Sequence, residues 1–514
     1  MTDSTREQVD QLIGAALEAA RTAMVADVDE RLAALRVQLT ATYHDPDPSL
    51  PPPRRRGRGT PRHRGRGTTG RRGRGTTAAP FKDSLDWVRP AGQALADFEQ
   101  ARDTAGDGGV VYVPAGAYSF ASTLKLNAAR QWWIVHPNAV FTVTGNAALL
   151  QISGAGTVVE GGVWDGNKNA ISGGHATVNI VGDRCGIRKA EVRNGDYSNV
   201  RIAGCDHAFV ESCYVHDATA FDIYVEPSSR RATNYARVLS NTVENSGSQA
   251  GIHARGDNQG TLQTHGTRIA SNHVTRVGAD HAEIGIEVWG YAPFSTVVNN
   301  HVTGAWMCVS VDKCDHSTVT GNTGDNCKWG YELAGSSHCT VTGNTVDCRN
   351  IAGSIGVTCS NANNGVNTIS ANNIDRARKG IHLNGSNGNN APKYVVSGNT
   401  IDRIPRDGGV GIYCQNASHV AITGNQLHGV PDGGGRAILC ENTNNVTATG
   451  NVATNLSEFI KFYVSRSQTL DNYTICGNLL SGIDKALTTG QASGQTCTLG
   501  THIMCHANVG LADR

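Results

Sequence analysis

The chain has 514 residues, 39% of them apolar, with 61 glycines, 15 prolines and only 6% aromatics, which fits a turn-dense all-β protein. Ten of its 45 basic residues lie within residues 51–79, which hold no acids, so the remaining 35 face 44 acidic ones. The body is therefore mildly acidic, which speaks against nucleic acid as its main ligand, and no apolar run approaches the ~20 residues of a membrane-spanning helix.

Residues 1–44 hold the strongest helical pattern. Val25, Val28, Leu32, Leu35 and Leu39 follow a 3-4 spacing, continued upstream after a phase slip by Val9, Ile13, Ala16 and Ala20. Such a seam predicts an attachment or oligomerisation device, either a short coiled coil or a lone amphipathic helix docked on a partner. The first twenty residues are polar and acidic, without the apolar stretch of a secretory leader, so the chain is expected to begin in a cytoplasm. Residues 45–80 are Pro-rich and then built from Arg-Gly units such as Arg64-Gly65-Arg66-Gly67. They bury too little apolar surface to order themselves and are expected to be a disordered linker. A soluble spacer and an electrostatic tether to an anionic surface both fit it.

Residues 81–156 are expected to hold an N-terminal cap and the first coils, with a short amphipathic helix at Leu95–Ala101. From 157 to 514 a pattern returns at Asn241, Asn272, Asn300, Asn322, Asn344, Asn372, Asn399, Asn425, Asn451 and Asn478, at gaps of 22 to 31 residues. Each marker precedes an alternating segment, a turn and a second segment of the form Gly-Ile-x-Leu-x, as in Gly251–Arg255, Gly285–Trp289 and Gly380–Asn384. Short period-two strands separated by Gly, Asn, Asp and Ser at a fixed period predict a right-handed parallel β-helix, a solenoid of about 12 coils. The Asn is expected to stack on the Asn of the next coil at the bend. Cys359, Cys414 and Cys440 take the inward slot that Val288, Val311 and Leu383 fill elsewhere, so the 14 cysteines read as core residues.

The run from Leu95 through Gly108-Gly109-Val110-Val111-Tyr112-Val113-Pro114 resembles the N-terminal cap of pectate-lyase-like β-helix proteins. That superfamily includes polysaccharide lyases, glycosidases, epimerases and bacteriophage tailspikes. Gly162–Asn167 is similar to a turn common there, and the resemblance covers about residues 81–500. It implies fold more strongly than activity, since function lives in sites grafted on folds. With the helical N-terminus and the linker, it implies a phage tailspike or minor tail protein, assembled in the host cytoplasm and carried on the virion. Its expected partners are a host surface polysaccharide, tail or baseplate proteins through residues 1–44, and further copies of itself in a homotrimer. A free polysaccharide lyase or glycoside hydrolase and a non-catalytic structural virion protein are the rival readings.

The chemistry is expected on the outward x positions, which stack at about 4.8 Å from coil to coil. Asp222, His253 and Glu287 are assigned to the first x, and Tyr224, Arg255, Trp289 and Asp312 to the second. Glu226, Asp257 and Tyr291 follow two residues further on. Asp222, Glu226, His253, Asp257 and Glu287 are the catalytic candidates; Tyr224, Arg255, Trp289, Tyr291 and Asp312 are the substrate-binding ones. Aromatic rings make platforms for sugars, and paired carboxylates serve acid–base work on glycosidic bonds. Glu226 and Asp257, on neighbouring coils, fall about 5 Å apart, near a retaining pair; Asp222 and Glu287, two coils apart, near an inverting one. A lyase would use His253 or Tyr224 as base and Arg255 to neutralise a uronate. Non-catalytic glycan binding and a merely solvated face remain open beside catalysis. Phe221–Tyr224 is also similar in position to the Asp-Pro-His stretch of alginate epimerases, although it lacks their Pro and His. No cofactor is expected; the clustered acids could attract calcium, but no dedicated loop is present.

Overall fold

The structure, a computed structural model, describes residues 87–257, 259–276, 283–360, 365–385, 393–431, 433–506 and 508–509. The expected helix and linker of residues 1–80 lie outside these. Among the described residues the chain is a parallel β-solenoid with one helix, Leu95–Ala105. Each coil contributes a strand to each of three parallel sheets. On the first, Tyr224 pairs with His253, His253 with Glu287, Glu287 with Ser310 and Ser310 with Glu332. On the second, Val238, Ile269, Val297 and Val319 follow one another, and on the third, Val243, Val274 and Val302. The first sheet runs from Leu124–Leu126 to Leu479–Gln491 in about 15 turns. That exceeds the 12 coils expected, because the earliest turns carry no Asn marker.

The marker asparagines form a ladder at the bend between the second and third sheets. Asn272 Oδ1 accepts both the backbone N–H and the side-chain amide of Asn241 at 2.9 Å, while Asn272 Nδ2 donates to Val238 O at 3.0 Å. The pattern repeats coil by coil to Asn508 at 2.9–3.1 Å. The residue before each marker takes the left-handed conformation, with φ 64° at Gly321 and 63° at Gly343. Glycine enters this conformation without a Cβ penalty, which explains the recurring Gly-Asn pair.

A second ladder, not foreseen from the sequence, lines the bend between the first and second sheets. His207, Tyr235, His265, Phe294, His316 and His338 follow one another ring to ring at 4.8–5.7 Å, stacked except at His265, which meets Tyr235 edge-on and Phe294 at a tilt. Phe294, His316 and His338 sit at φ 57–59°, a cost for non-glycine residues that the ring contacts offset.

The helix closes the N-terminal end of the core. Phe98 is fully buried and meets Tyr118, Phe120 and Phe141 edge-on at 5.0–5.6 Å, and Phe141 stacks on Trp164 at 4.2 Å. Gln131 Nε2 donates to Arg102 O and Gly106 O, satisfying carbonyls at the helix C-terminus. All 14 cysteines are free and eleven are buried, with Cys359, Cys414 and Cys440 in the core as expected. Burial pushes the Cys213 thiol up to about 12.

Candidate functional site

The first-sheet strands of the central coils are six residues long and share one bulged phase. Positions two, three and five point inward; one, four and six point out. In Phe221–Glu226, Ile223 and Val225 join the main core, whereas Phe221 and Tyr224 form a separate outer cluster with Ala220 and Ala250. Position two is often glycine, where the neighbouring sheet leaves no room for a Cβ. A Cβ on Gly251 would come within 2.8 Å of Val274 Cγ1, and one on Gly285 within 2.4 Å of Val302 Cγ1.

This phase corrects the placement of Asp222. It occupies the glycine slot, is 0% exposed, and does not face water. The local pattern misled because Phe221 looks like the inward residue of the motif but lies on the outer face. Asp222 Oδ1 accepts from Asn199 Nδ2 at 2.7 Å and from the Ala218 amide at 3.3 Å. Burial pushes its carboxyl up to about 7, opposed by the Ala218 amide, Asn199 and the more distant Arg276. Its Oδ2 has no well-aligned partner, although Ser246 lies close. Asp222 ties two corners together and forms no pair with Glu287.

Asp257 is the second correction. It has left the sheet and caps its own loop, accepting from Thr261 N at 2.9 Å and Leu262 N at 2.8 Å, so it is no partner for Glu226. Tyr291 stands at the next corner, at φ 67°, with its ring against Gly260 rather than on the outer face.

The remaining candidates do converge. Tyr224, His253 and Glu287 share one outward column with Ser310 and Glu332; Arg255, Trp289 and Asp312 share the next, beside Glu226. Glu226 is held by Arg201 at 2.7 Å, by the Tyr224 hydroxyl at 2.6 Å and, more loosely, by Arg255 at 3.7 Å. The Arg255 guanidinium lies 5.7 Å from the Trp289 ring centre and 6.0 Å from that of Tyr224. His253 Nδ1 is 2.6 Å from Glu287 Oε2, a close contact out of line for a hydrogen bond. His253 is also packed against Phe221, with ring centres 4.7 Å apart.

Glu332, on the coil after Asp312, was not among the sequence candidates. Ser310 Oγ donates to its Oε2 at 2.7 Å. Burial raises the Glu332 carboxyl, and the charges of Asp312 and Glu287 add to the shift, while Ser310 opposes it. Asp312 is raised for the same first reason, with Glu287 adding and Lys313 and the Trp289 indole opposing. The Tyr224 phenol is raised by burial and by Glu226. The first-x column of the sequence already places Glu332 two rungs from Glu287, although it does not stand among the candidates; Arg201 was hidden because its strand, Ser198–Ala203, lacks the Gly-Ile motif. The site is an open face. Two shallow hollows lie elsewhere, one among Phe459, Ile460 and Leu480 at the far end, the other between Arg237 and Arg268 on the second sheet.

Fold and site together define a parallel β-solenoid with an acidic, aromatic-edged sheet face. A family model described as "Periplasmic copper-binding protein (NosD)" matches residues 256–427. Among solved structures, the chain is similar to a mutant tailspike protein of E. coli bacteriophage HK620 in complex with pentasaccharide, at 14% identity and TM-score 0.48, covering 80% of this chain and 78% of that one. It is also similar to a PL6 alginate lyase in complex with trisaccharide, at 13% identity and TM-score 0.44, covering 74% and 86%. A third is the A-module of the Azotobacter vinelandii mannuronan C-5 epimerase AlgE4, at 14% identity and TM-score 0.35, covering 82% and 98%. No curated protein matches the chain. Among the described residues no three His, Cys, Asp or Glu side chains are grouped to hold a metal. The cysteines of the matched stretch, Cys308 to Cys414, are buried in the core.

Proposed function

We propose that this face binds a polysaccharide along the solenoid axis and cleaves it by acid–base chemistry. The observation that carries the reading is the juxtaposition of Glu287, Asp312 and Glu332 on three successive strands, beside Trp289, with two of the three carboxyls raised. Glu287 and Glu332 are two strands apart, roughly 10 Å by strand spacing, at the upper edge of the separation in inverting glycosidases, about 6.5–9.5 Å. Glu332, raised by burial, is suited to hold a proton and deliver it to the leaving oxygen; Glu287, against His253, is placed to accept one from water. The Trp289 ring offers an apolar platform for a sugar.

The heptad-like seam of residues 3–40 and the Arg-Gly linker support a role as a tail-attached, homotrimeric virion protein acting at the host surface. The test is incubation of the full chain with host wall and capsular glycans. Release of reducing ends that is lost in an E287Q/E332Q double variant supports catalysis by this face; binding without cleavage makes it a lectin-like face; neither result leaves the structural virion reading.

A further inference from the structure

The arginines on the candidate face are already committed, and that bears on which glycan it can accept. Both arginines among the outward positions from Arg201 to Ser360 serve one acid. Arg201 holds Glu226 Oε1 at 2.7 Å, and Arg255 approaches Oε2 at 3.7 Å while lying between the Tyr224 and Trp289 rings. His253 is 6% exposed in its side chain and closed against Glu287. The Glu287 charge adds to the cost of ionising Asp312 and Glu332, and Asp312 to that of Glu332, with Lys313, at the corner after Asp312, opposing in part at Asp312. The groups a β-elimination would need are therefore engaged. The Tyr224 phenol donates to Glu226 and is shifted away from deprotonation, and no guanidinium is left to receive a sugar carboxylate. From Thr358 and Ser360 onward to Asn384 and Gln415 the same columns carry hydroxyls, amides, His382 and Tyr413 rather than new acids or arginines.

Resting on the reading that this face binds glycan, we infer that its substrate is an uncharged polysaccharide and that its reaction is hydrolysis, not uronate elimination. A polymer with a carboxylate on each sugar would set like charges against the acid column, which Lys313 opposes only in part, at separations where such repulsion is strong. In hydrolysis the glycosidic C–O bond breaks, water oxygen bonds to the anomeric carbon, one water proton passes to Glu287, and Glu332 gives its proton to the departing oxygen. Water is the only co-reactant.

The test pairs a polyuronate, such as alginate or pectate, with its carboxyl-reduced neutral form, alongside a panel of uncharged capsular polysaccharides. Binding of the full chain is read by co-sedimentation, and products by reducing ends and by ultraviolet-absorbing unsaturated ends. The expected result is binding to neutral polymers at least tenfold tighter than to any polyuronate, with reducing ends and no unsaturated ends. An E226Q variant, checked for an unchanged melting curve, frees Arg201 and Arg255 and should narrow that tenfold gap. Equal or tighter binding of the polyuronate by the unaltered chain, or unsaturated ends, overturns the inference while leaving the glycan-binding face intact. Binding to no polymer in either set overturns the glycan reading itself.

Discussion

The asparagine ladder and the outer face of the first sheet are built by the same device and put to opposite uses. Both place one side chain per coil at strand spacing along the solenoid. In the ladder every rung is the same residue, and each amide satisfies the next, so polarity is consumed inside the stack. On the face the rungs differ: Tyr224, His253, Glu287, Ser310, Glu332. Their interactions are partial, and burial is left to shift carboxyls instead of being cancelled. Identical rungs stabilise, whereas unlike rungs leave chemistry available. Asp222 mixes the two, an acid in a slot that is often glycine in other coils, buried without full satisfaction.

The largest expected effect comes from the face. E287Q and E332Q should each lower glycan cleavage about 10²–10⁴-fold, the usual worth of a general acid or base. Their melting temperatures should stay near that of the parent, since substitutions at partly exposed sites away from the core usually move stability by about ±0.5 kcal/mol. Cleavage rates beside thermal melts check this, and a large stability loss with activity retained would erase the distinction between the two regions.

Asp222 gives the next effect. Its carboxyl is held near 7 in the folded chain against an ordinary value of 3.8. Below 3.8 both folded and unfolded forms are protonated and nothing is lost. As pH rises through the interval to about 7 the unfolded chain releases its proton first, so stability falls, by up to about 4 kcal/mol if the whole shift is realised. D222N keeps the contact to the Ala218 amide and should flatten that slope in urea melts taken at pH 4 to 8. An unchanged slope would assign the dependence to other groups.

Breaking the ladder should cost less, because one rung is a local loss. N322A removes the acceptor for Asn300 and the donor to Val297 O and should cost about 1–3 kcal/mol with no change in cleavage. Denaturant midpoints and reducing-end assays on one preparation separate the outcomes. The smallest effect concerns the cysteines. The eleven buried thiols should resist an exposed-thiol reagent until the solenoid unfolds, and reductant should leave melting unchanged.

The spacing of Asn241 to Asn478 was sufficient to read the solenoid, the stacked amides and the core cysteines, because each depends on residues that recur in every coil. The capping helix was legible over Leu95–Ala101 and extends to Ala105. The face was legible in part. His253, Arg255, Glu287 and Trp289 lie in coils that carry the Gly-Ile motif, so their phase follows directly from it, and Asp312 follows by register from Trp289. Asp222 was misplaced where Phe221 and Asp222 stand in for the motif, and Asp257 because the strand ends at Arg255 and the chain turns into a loop that its carboxylate caps. Glu332 was visible but weighed too lightly, since its value depends on neighbours contributed by other coils.

Sequence alone determined the period, and with it which residues are rungs of a common column, because a parallel solenoid repeats its register at every turn. Tertiary structure decided which column faces water and which charges neutralise one another. A two-residue inward bulge is selected by the room left by Val274 or Val302 one sheet away, and Arg201 meets Glu226 only across a coil boundary. Neither relation is encoded within a single strand, because steric fit and Coulomb pairing act between segments some 22 to 34 residues apart, whose packing sets the result.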